Sequence, residues 1–459
     1  MAYDMVILGG GPGGYVAAIR AAQLGAKVVV VEKDQLGGTC LNQGCIPTKA
    51  LVAGAEILRM LRKGAEFGII ANDPVVDFSR FMERKNRVVQ RLAAGINYLF
   101  KKNKIQLVKG IGKLVSSNTV QVVREDGCQE ELVAANIILA TGSRPALIPS
   151  LGYDGQRVIT SDEILTLSEV PKSLLVIGGG VIGCEFACIF SELGTKVTIA
   201  EVMPSILPAI DKEASRLMQI LFKKRGIDIK TGILIKEISK GQDNVGVILE
   251  NGEELRAEKI LISVGRAFNT EEIGLDTVGV ETGLKGEVVI NSRMQTSVRN
   301  IYAIGDITNR IQLAHVASTQ GIVAVENIMG MEREMDYDSV PSCIFTSPEV
   351  AAVGISSEMA EEKGIVVKIG KFPFMASGKA MAAGEAEGFV KIIAEAESDR
   401  ILGVSIVGPH ATDLIAEAGL AIRLEATAGQ LANTIHAHPT LAEAVMEAAE
   451  AVHGLSIHV

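Results

Sequence analysis

The chain has no tryptophan and only 12 phenylalanines among 459 residues. With 48 glycines and 48% hydrophobic content, that composition leaves few bulky ring sites and suits tightly packed α/β architecture with many turns. There is no basic excess either: the net charge is −9. This argues against a nucleic-acid partner, whose phosphate backbone calls for a basic face, while a basic protein partner is compatible. No apolar run approaches the length of a membrane span, so no membrane partner is expected. The N-terminus enters an apolar strand at Tyr3 to Leu8, which leaves no room for a signal or transit peptide. Cysteine is scarce, 6 in all. In a long acidic chain without a secretory signal this points to a reducing compartment, the cytoplasm, where a disulfide is catalytic more often than structural. The length is too great for one core and predicts three or four domains.

What is present begins with an internal repeat. Gly9, Gly11 and Gly14 follow a β-rich run and open an alanine-rich helical stretch that closes at Leu24-Gly25. A second strand, Lys27 to Val31, ends at Glu32. Shifted by 169 residues, Gly178, Gly180, Gly183, Leu193-Gly194, Lys196 and Glu201 fall on the same positions. A lone G-x-G-x-x-G is weak evidence, but here a whole βαβ unit is written twice. In such a unit the first glycine allows a tight turn, the second lets the backbone approach a pyrophosphate, and the third lets helix pack on strand. The helix N-terminus offers free N–H groups to the phosphates. The terminal acid accepts hydrogen bonds from a ribose diol and repels a 2′-phosphate, so Glu201 favours NAD over NADP. Two units imply two bound dinucleotides.

Between the copies, Cys40 and Cys45 stand five residues apart. A thiol pair beside a nucleotide site suggests electrons passing between a disulfide and a redox cofactor. Five residues of regular helix advance about 7.5 Å, beyond the ~7 Å Cα limit for a disulfide. A bridge therefore requires irregular backbone near Asn42 to Gly44, and a helix N-terminus there would lower a thiol pKa. A structural disulfide and half of a metal site are the competing readings. The compartment disfavours the first. The second lacks a partner pair, because Cys184 and Cys188 sit one helical turn apart and read as small core residues. Cys128 and Cys343 also read as packing positions, and no metal is expected.

From about Asp338 the pattern changes to α+β. Phe389 to Ala394 and Ile401 to Val407 read as paired strands, followed by two alanine-rich helices. Pro439 disfavours the α region for His438, which should lie outside the following helix. Thr440 and Glu443 read as a capping box for a helix running toward Val452. From the residues alone, Glu443 is a cap or a carboxylate orienting a base, and His438 is a loop histidine or that base. His436 and His315 read as structural.

Taken with Ala140-Thr141-Gly142, Ile301 to Asp306 and His436-Ala437-His438-Pro439-Thr440, these motifs resemble the pyridine nucleotide–disulfide oxidoreductase family over essentially the whole chain. The resemblance implies an α/β fold of two Rossmann-like dinucleotide-binding domains, for FAD and NAD, plus a C-terminal α+β dimerisation domain. The implied division is 1–145 for FAD, 146–267 for NAD, 268–337 for a central domain completing the FAD site, and 338–459 for the interface. It also implies that Glu32, Gly112, Thr141, Gly142, Asp306 and Ala314 contact FAD, with Lys49 near flavin N5 and paired to Glu185. Glu201 and Gly265 would contact NAD. His438, acting from the other subunit of a homodimer with shared active sites, would be the base oriented by Glu443. A neighbouring carboxylate would help that imidazole hold a proton taken from a thiol.

The implied activity is oxidation of protein-bound dihydrolipoamide to lipoamide with reduction of NAD. The implied partners are lipoyl domains and the acyltransferase core of a 2-oxoacid or acetoin complex, or the lipoyl carrier of glycine cleavage. Three other readings compete. A glutathione-type reductase uses NADP, which Glu201 disfavours. A mercuric-type reductase would carry a cysteine pair near a C-terminus that here reads Gly454 to Val459. A chiefly structural complex subunit would not need the complete catalytic set.

Overall fold

The computed structural model describes residues 2–71, 74–241 and 244–459. Its first unit is built on β1 (Tyr3–Leu8), α1 (Pro12–Gln23) and β2 (Val28–Glu32). Every residue of β2 is buried, as expected of a central parallel strand covered on both faces. Then come α2 (Gly38–Gln43), α3 (Cys45–Lys63) and α4 (Phe78–Lys102). Strands β3 (Gln106–Lys109), β4 (Ile111–Ser116), β5 (Thr119–Val123) and β6 (Gln129–Leu139) complete the sheet. The sheet runs β3-β2-β1-β6-β5-β4. Strand β6 changes partners along its length: its first half pairs antiparallel with β5 and its second half parallel with β1.

The chain leaves this unit through β7 (Ser143–Pro145) and returns through β16 (Arg266–Phe268), and the two pair antiparallel. Between them lie β8 (Val158–Ile159), β9 (Ser173–Ile177), α5 (Val181–Glu192), β10 (Lys196–Glu201), α6 (Lys212–Lys224) and β11 (Asp228–Thr231). An antiparallel sheet of β12 (Ile235–Lys240), β13 (Val245–Leu249) and β14 (Glu254–Ala257) precedes β15 (Lys259–Ile262). The parallel sheet of this second unit has the order β11-β10-β9-β15-β8.

The repeat is duplicated down to its backbone angles. Gly9 and Gly178 both have φ +104°, and a Cβ on either would lie 2.2 or 2.4 Å from the carbonyl oxygen of Ala140 or Ser263. A Cβ on Gly14 or Gly183 would lie 1.9 or 2.0 Å from the oxygen of Gly9 or Gly178. The first and third glycines are thus required by the protein's own backbone. A Cβ on Gly11 would meet only Gly38 Cα, 3.7 Å away, and one on Gly180 would meet nothing within 4 Å. The space in front of the second glycine is left for a ligand.

Residues 268–337 form no core of their own. Strand β17 (Ile301–Ala303) pairs with β6 and extends the first sheet. Ile273, Met294, Ile304 and Val323 share one buried cluster with Met5, Val29 and Ile138. In space, the segment expected as a central domain is a continuation of the first unit. The last unit is an antiparallel sheet of β18 (Ser342–Ile344), β19 (Glu349–Gly354), β20 (Val367–Pro373), β21 (Phe389–Glu395) and β22 (Ile401–Gly408), ordered β18-β19-β22-β21-β20. Three helices follow, Ala411–Arg423, Ala428–Ala432 and Glu443–Ala451, one more than the alanine pattern suggests. The extra one is a single turn closed by a true capping box between Thr427 and Gln430. Among the described residues, no helix is long and apolar enough to cross a membrane.

Candidate active site

The two βαβ units and the last unit enclose one cleft of about 2150 Å³. That is more than twice the upper end of the usual range for a single small-ligand pocket, roughly 1,000 Å³. Gly9, Gly11, Glu32, Gly112, Thr141, Gly142, Asp306 and Ala314 line it on the first unit's side. Gly178, Gly180, Glu185, Glu201 and Gly265 line it on the second, with Cys40, Cys45 and Lys49 between. Gly14 and Gly183 are not in the wall, since each serves helix–strand packing behind it.

The terminal acids of the two repeats are held alike. Glu32 Oε2 accepts the Gly10 N–H at 2.6 Å and Oε1 that of Asp34 at 2.7 Å. Glu201 does the same with Gly179 at 2.5 Å and Met203 at 2.7 Å. Each carboxylate is fixed at the end of its strand with lone pairs remaining for a diol. With the open space before Gly11 and Gly180, this is a donor and acceptor set that fits two dinucleotides. On the first unit's side, α1 starts without a side-chain cap, and so does the helix Ala314–Ile328, so both present free N–H groups at the cleft.

The cysteines stand on either side of a helix break. Gly44, at φ −148° and ψ −115°, ends α2 and begins α3, so Cys40 and Cys45 belong to different helices. Asn42 secures the end of α2 by donating from Nδ2 to the carbonyls of Leu36 and Gly38, while its Oδ1 is buried without a donor. Both cysteines are free thiols in this structure. The Cys40 thiol donates to Cys45, which with burial pushes Cys40 far above the usual thiol range. The same hydrogen bond, aided by the Lys49 ammonium, lowers Cys45 to about 7 although burial opposes it. Cys45 is the first residue of α3, where a helix N-terminus also favours a thiolate. The two sulfurs are inequivalent in place: Cys45 opens α3 beside Lys49, which favours a thiolate there, and Cys40 lies in α2.

Lys49, one turn along α3, donates to both oxygens of Glu185 at 2.9 and 2.8 Å. Glu185 is buried on α5 of the second unit and also accepts the N–H of Phe345, over whose ring Lys49 Nζ sits 4.5 Å from the centroid. One ion pair thus ties all three units beside the thiols. Phe345 carries no motif and was not legible in the sequence; only its place beside β18 brings it here. Asp306 is another case. Its Oδ2 accepts a hydrogen bond from Ser143 Oγ, and that oxygen accepts from Arg266 Nε at 2.6 Å. Arg266 lies 3.7 Å from Asp306. Ser143 and Arg266 come from β7 and β16, so the chain's crossing point orients the acid.

A pH dependence follows from the thiol geometry. In the reduced protein, alkylation of Cys45 should rise through pH about 7 and then level off. Lys49→Met removes a lowering cause, so the midpoint should move upward. An unchanged midpoint, read by mass-spectrometric alkylation rates, would show that Lys49 does not act on Cys45.

His438 and Glu443 do not line the cleft of their own chain. His438 Nδ1 lies 2.8 Å from Glu443 Oε1, and its side chain is 80% exposed. The capping box expected here is only half made. Glu443 Oε2 accepts the Thr440 N–H at 2.7 Å, but the Thr440 hydroxyl donates to Ala437 and the helix begins at Glu443 itself. Burial works against it, yet the Thr440 N–H and His438 hold the Glu443 carboxyl below the usual range. The His436 side chain is buried against Glu417 at 2.8 Å, and His315, which lines the cleft, contacts the carbonyl of Pro341 at 2.9 Å. Cys184 and Cys188 are buried in α5 as expected. Cys128 is not a packing residue: it is exposed in the turn between β5 and β6.

The profile of the family described as pyridine nucleotide-disulphide oxidoreductase matches residues 3–321, and that of its dimerisation domain matches 340–449. A dihydrolipoyl dehydrogenase of Bacillus subtilis (strain 168) is 48% identical, with 99% of each chain covered. One from Chlamydia muridarum is 47% identical, covering 98% of this chain and 96% of the relative. Among solved structures, LpdA from Mycobacterium tuberculosis superposes with a TM-score of 0.92 at 28% identity, covering 97% of this chain and 98% of that one. The HOCl-induced flavoprotein disulfide reductase RclA from Escherichia coli, as its Cu(II) complex, gives 0.89 at 27%, covering 98% and 99%. Matched in sequence from end to end and carrying both the redox and the dimerisation parts, the chain belongs to the pyridine nucleotide-disulphide oxidoreductase family.

Proposed function

We propose that the protein is a homodimeric flavoprotein that oxidises protein-bound dihydrolipoamide to lipoamide and reduces NAD to NADH. The observation that carries this reading is the thiol pair Cys40 and Cys45 on either side of the Gly44 helix break, set between two dinucleotide cradles and beside the Lys49–Glu185 pair. The relatives at 42–48% identity bear the name dihydrolipoyl dehydrogenase, which supports the substrate.

The thiol chemistry balances on the chain's own residues. His438 of the partner subunit takes the proton of one dihydrolipoyl thiol, and the resulting thiolate attacks Cys40 Sγ of the Cys40–Cys45 disulfide. The bond between the two cysteines breaks and Cys45 leaves as thiolate, stabilised by Lys49. The second dihydrolipoyl sulfur, giving up its proton, closes on the first. Cys40 departs and keeps that proton in its hydrogen bond to Cys45. The substrate has lost two electrons and two protons. Glu443 Oε1, 2.8 Å from His438 Nδ1, keeps the ring oriented. Glu32, Asp306, Gly112 and the Thr141-Gly142 turn would hold FAD, and Glu201, Gly180 and Gly265 would hold NAD. Bound there, the two cofactors supply a two-electron acceptor that returns the cysteines to the disulfide and a final hydride acceptor.

Because His438 and Glu443 lie outside their own chain's cleft, the reading includes a site completed by the partner subunit. The protein partners are lipoyl carriers and the acyltransferase core of a 2-oxoacid, acetoin or glycine cleavage system, in a reducing compartment such as the cytoplasm. Steady-state kinetics with NAD and NADP against dihydrolipoamide and glutathione test the assignment. NAD with dihydrolipoamide should exceed every other pairing by about 10²-fold or more in kcat/KM, because Glu201 repels a 2′-phosphate in a desolvated site. Preference for NADP or glutathione would overturn it.

A further inference from the structure

In a chain of net charge −9, one helix is strongly basic. Helix α4 carries seven lysines and arginines and one acid, Glu83. Its arginines are not scattered. Arg80, Arg84, Arg87 and Arg91 follow one another by steps of four, three and four, which at 100° per residue keeps them on one face. Tyr98 and Lys102 continue the same line, so the stripe runs for about 33 Å. All six residues are exposed. The opposite face is the buried one, with Met82, Ile96 and Phe100.

The stripe has little internal compensation. Arg80 pairs with Asp77 at 3.4 Å, and Arg84 donates to the carbonyl of Ala50 at 3.1 Å. Among the described residues, Arg87, Arg91 and Lys102 make no ion pair, and Glu83 pairs with none of the arginines. Arg80 with Arg84 and Arg87 with Arg91 are like charges one turn apart, an arrangement that destabilises an isolated helix. At Arg87 and Arg91 no ion pair among the described residues offsets it. A binding surface gains from it: arginine and tyrosine are the residues over-represented where protein interfaces hold tightest.

Its position relates it to the reaction. The inner side of α4 contributes Lys85, Asn86 and Val89 to the wall of the cleft that holds Cys40 and Cys45. Arg84 reaches Ala50, the neighbour of Lys49 on the helix that begins at Cys45. A protein seated on the stripe is one helix diameter, about 10–12 Å, from the thiol cleft.

We infer that the Arg80–Arg84–Arg87–Arg91–Tyr98–Lys102 face of α4 docks a carboxylate-rich surface of the domain that carries the dihydrolipoyl group. The inference rests on the functional reading above and names the recognition that brings the carrier to the site. The occupant is an acidic protein domain rather than an extended polyanion. Outside α4 the chain has 38 basic and 53 acidic residues, a net −15, and that overall field opposes the approach of a long polyanion such as nucleic acid or an anionic membrane more than that of a compact domain.

The test uses the FAD-loaded dimer and, as probe, a lipoylated acyltransferase domain of net negative charge, reduced to its dihydrolipoyl form. Arg87→Glu with Arg91→Glu should lower kcat/KM for the domain at low salt by at least about tenfold and weaken its salt dependence, with turnover of free dihydrolipoamide within about twofold. Arg87→Gln with Arg91→Gln should show the same split at smaller size, and it serves if the doubly reversed chain does not fold. Unchanged turnover of the domain, or equal loss on the domain and on free dihydrolipoamide, would overturn the inference. So would binding to phosphatidylserine vesicles or duplex DNA that the same substitutions abolish. Direct binding of the domain to immobilised dimer reads docking without turnover. Failure of the unsubstituted dimer on free dihydrolipoamide would strike the functional reading and leave that binding result standing on its own.

Discussion

Cys45→Ser is expected to end lipoamide-dependent NADH formation, a loss of about 10⁴-fold or more, the scale on which removal of one member of a catalytic unit acts. The size follows from what the sulfur does. Cys45 is the leaving group when the carrier thiolate attacks Cys40, and a serine at that position forms no disulfide to attack. What makes it a good leaving group while Cys40 is bonded to the carrier sulfur is the Lys49 ammonium beside it and its place at the start of α3, both of which favour the thiolate. The substitution exchanges one small side chain for another at the start of α3, so the fold and both nucleotide cradles should survive. NADH-dependent reduction of ferricyanide, which requires the nucleotide sites and no thiol, should therefore persist. Lipoamide turnover by this variant near that of the parent would refute the thiol mechanism.

Cys40→Ala should be equally inactive in turnover for a different reason, and the difference is measurable. It removes the sulfur that the substrate attacks and also the hydrogen bond that is the largest cause of the low Cys45 acidity. The remaining thiol should titrate above 7 in the reduced protein. The two cysteines, equivalent as a spacing, are thus distinguished by place: Cys45 opens α3 beside Lys49, and Cys40 lies in α2 across the Gly44 break.

That distinction shows where the sequence was legible and where it was not. The two fingerprints were readable because their glycines answer to local backbone demands, φ +104° at Gly9 and Gly178 and the contact with a neighbouring carbonyl at Gly14 and Gly183. The break before Cys45 was readable from disulfide geometry, and it falls at Gly44. The segment 268–337 was less so. Its share in the first core depends on β17 pairing with a strand more than 160 residues away, a contact no local period records. Ser143 and Arg266, which orient Asp306, meet only because β7 and β16 cross. Thr440 and Glu443 match a capping box in spelling, yet the threonine hydroxyl turns back to Ala437 and Glu443 is left to hold His438. The basic stripe was hidden by averaging: a net charge of −9 describes 459 residues, while α4 holds seven basic residues against one acid, more than α3 or α6.

Hybrid dimers should settle from which subunit the base comes. His438→Gln removes a general base and is expected to lower lipoamide turnover by about 10²–10⁴-fold, the range for positioned proton transfer. Cys45→Ser is inactive as argued above. Denatured together and refolded in equal amounts with FAD, the two inactive chains give a mixture in which about half of the dimers are hybrid, as random pairing in a two-fold dimer requires. If each site takes its cysteines from one chain and its histidine from the other, one site of every hybrid has Cys45 from the first chain and His438 from the second, both intact. The mixture should then recover about a quarter of the parent activity, one good site in each of half the dimers. If His438 serves the cleft of its own chain, every site in every dimer lacks one of the two groups and the mixture stays inactive. The structure favours recovery, because His438 and Glu443 form their 2.8 Å pair on the open surface of the last unit, outside the cleft that holds Cys40 and Cys45 of the same chain.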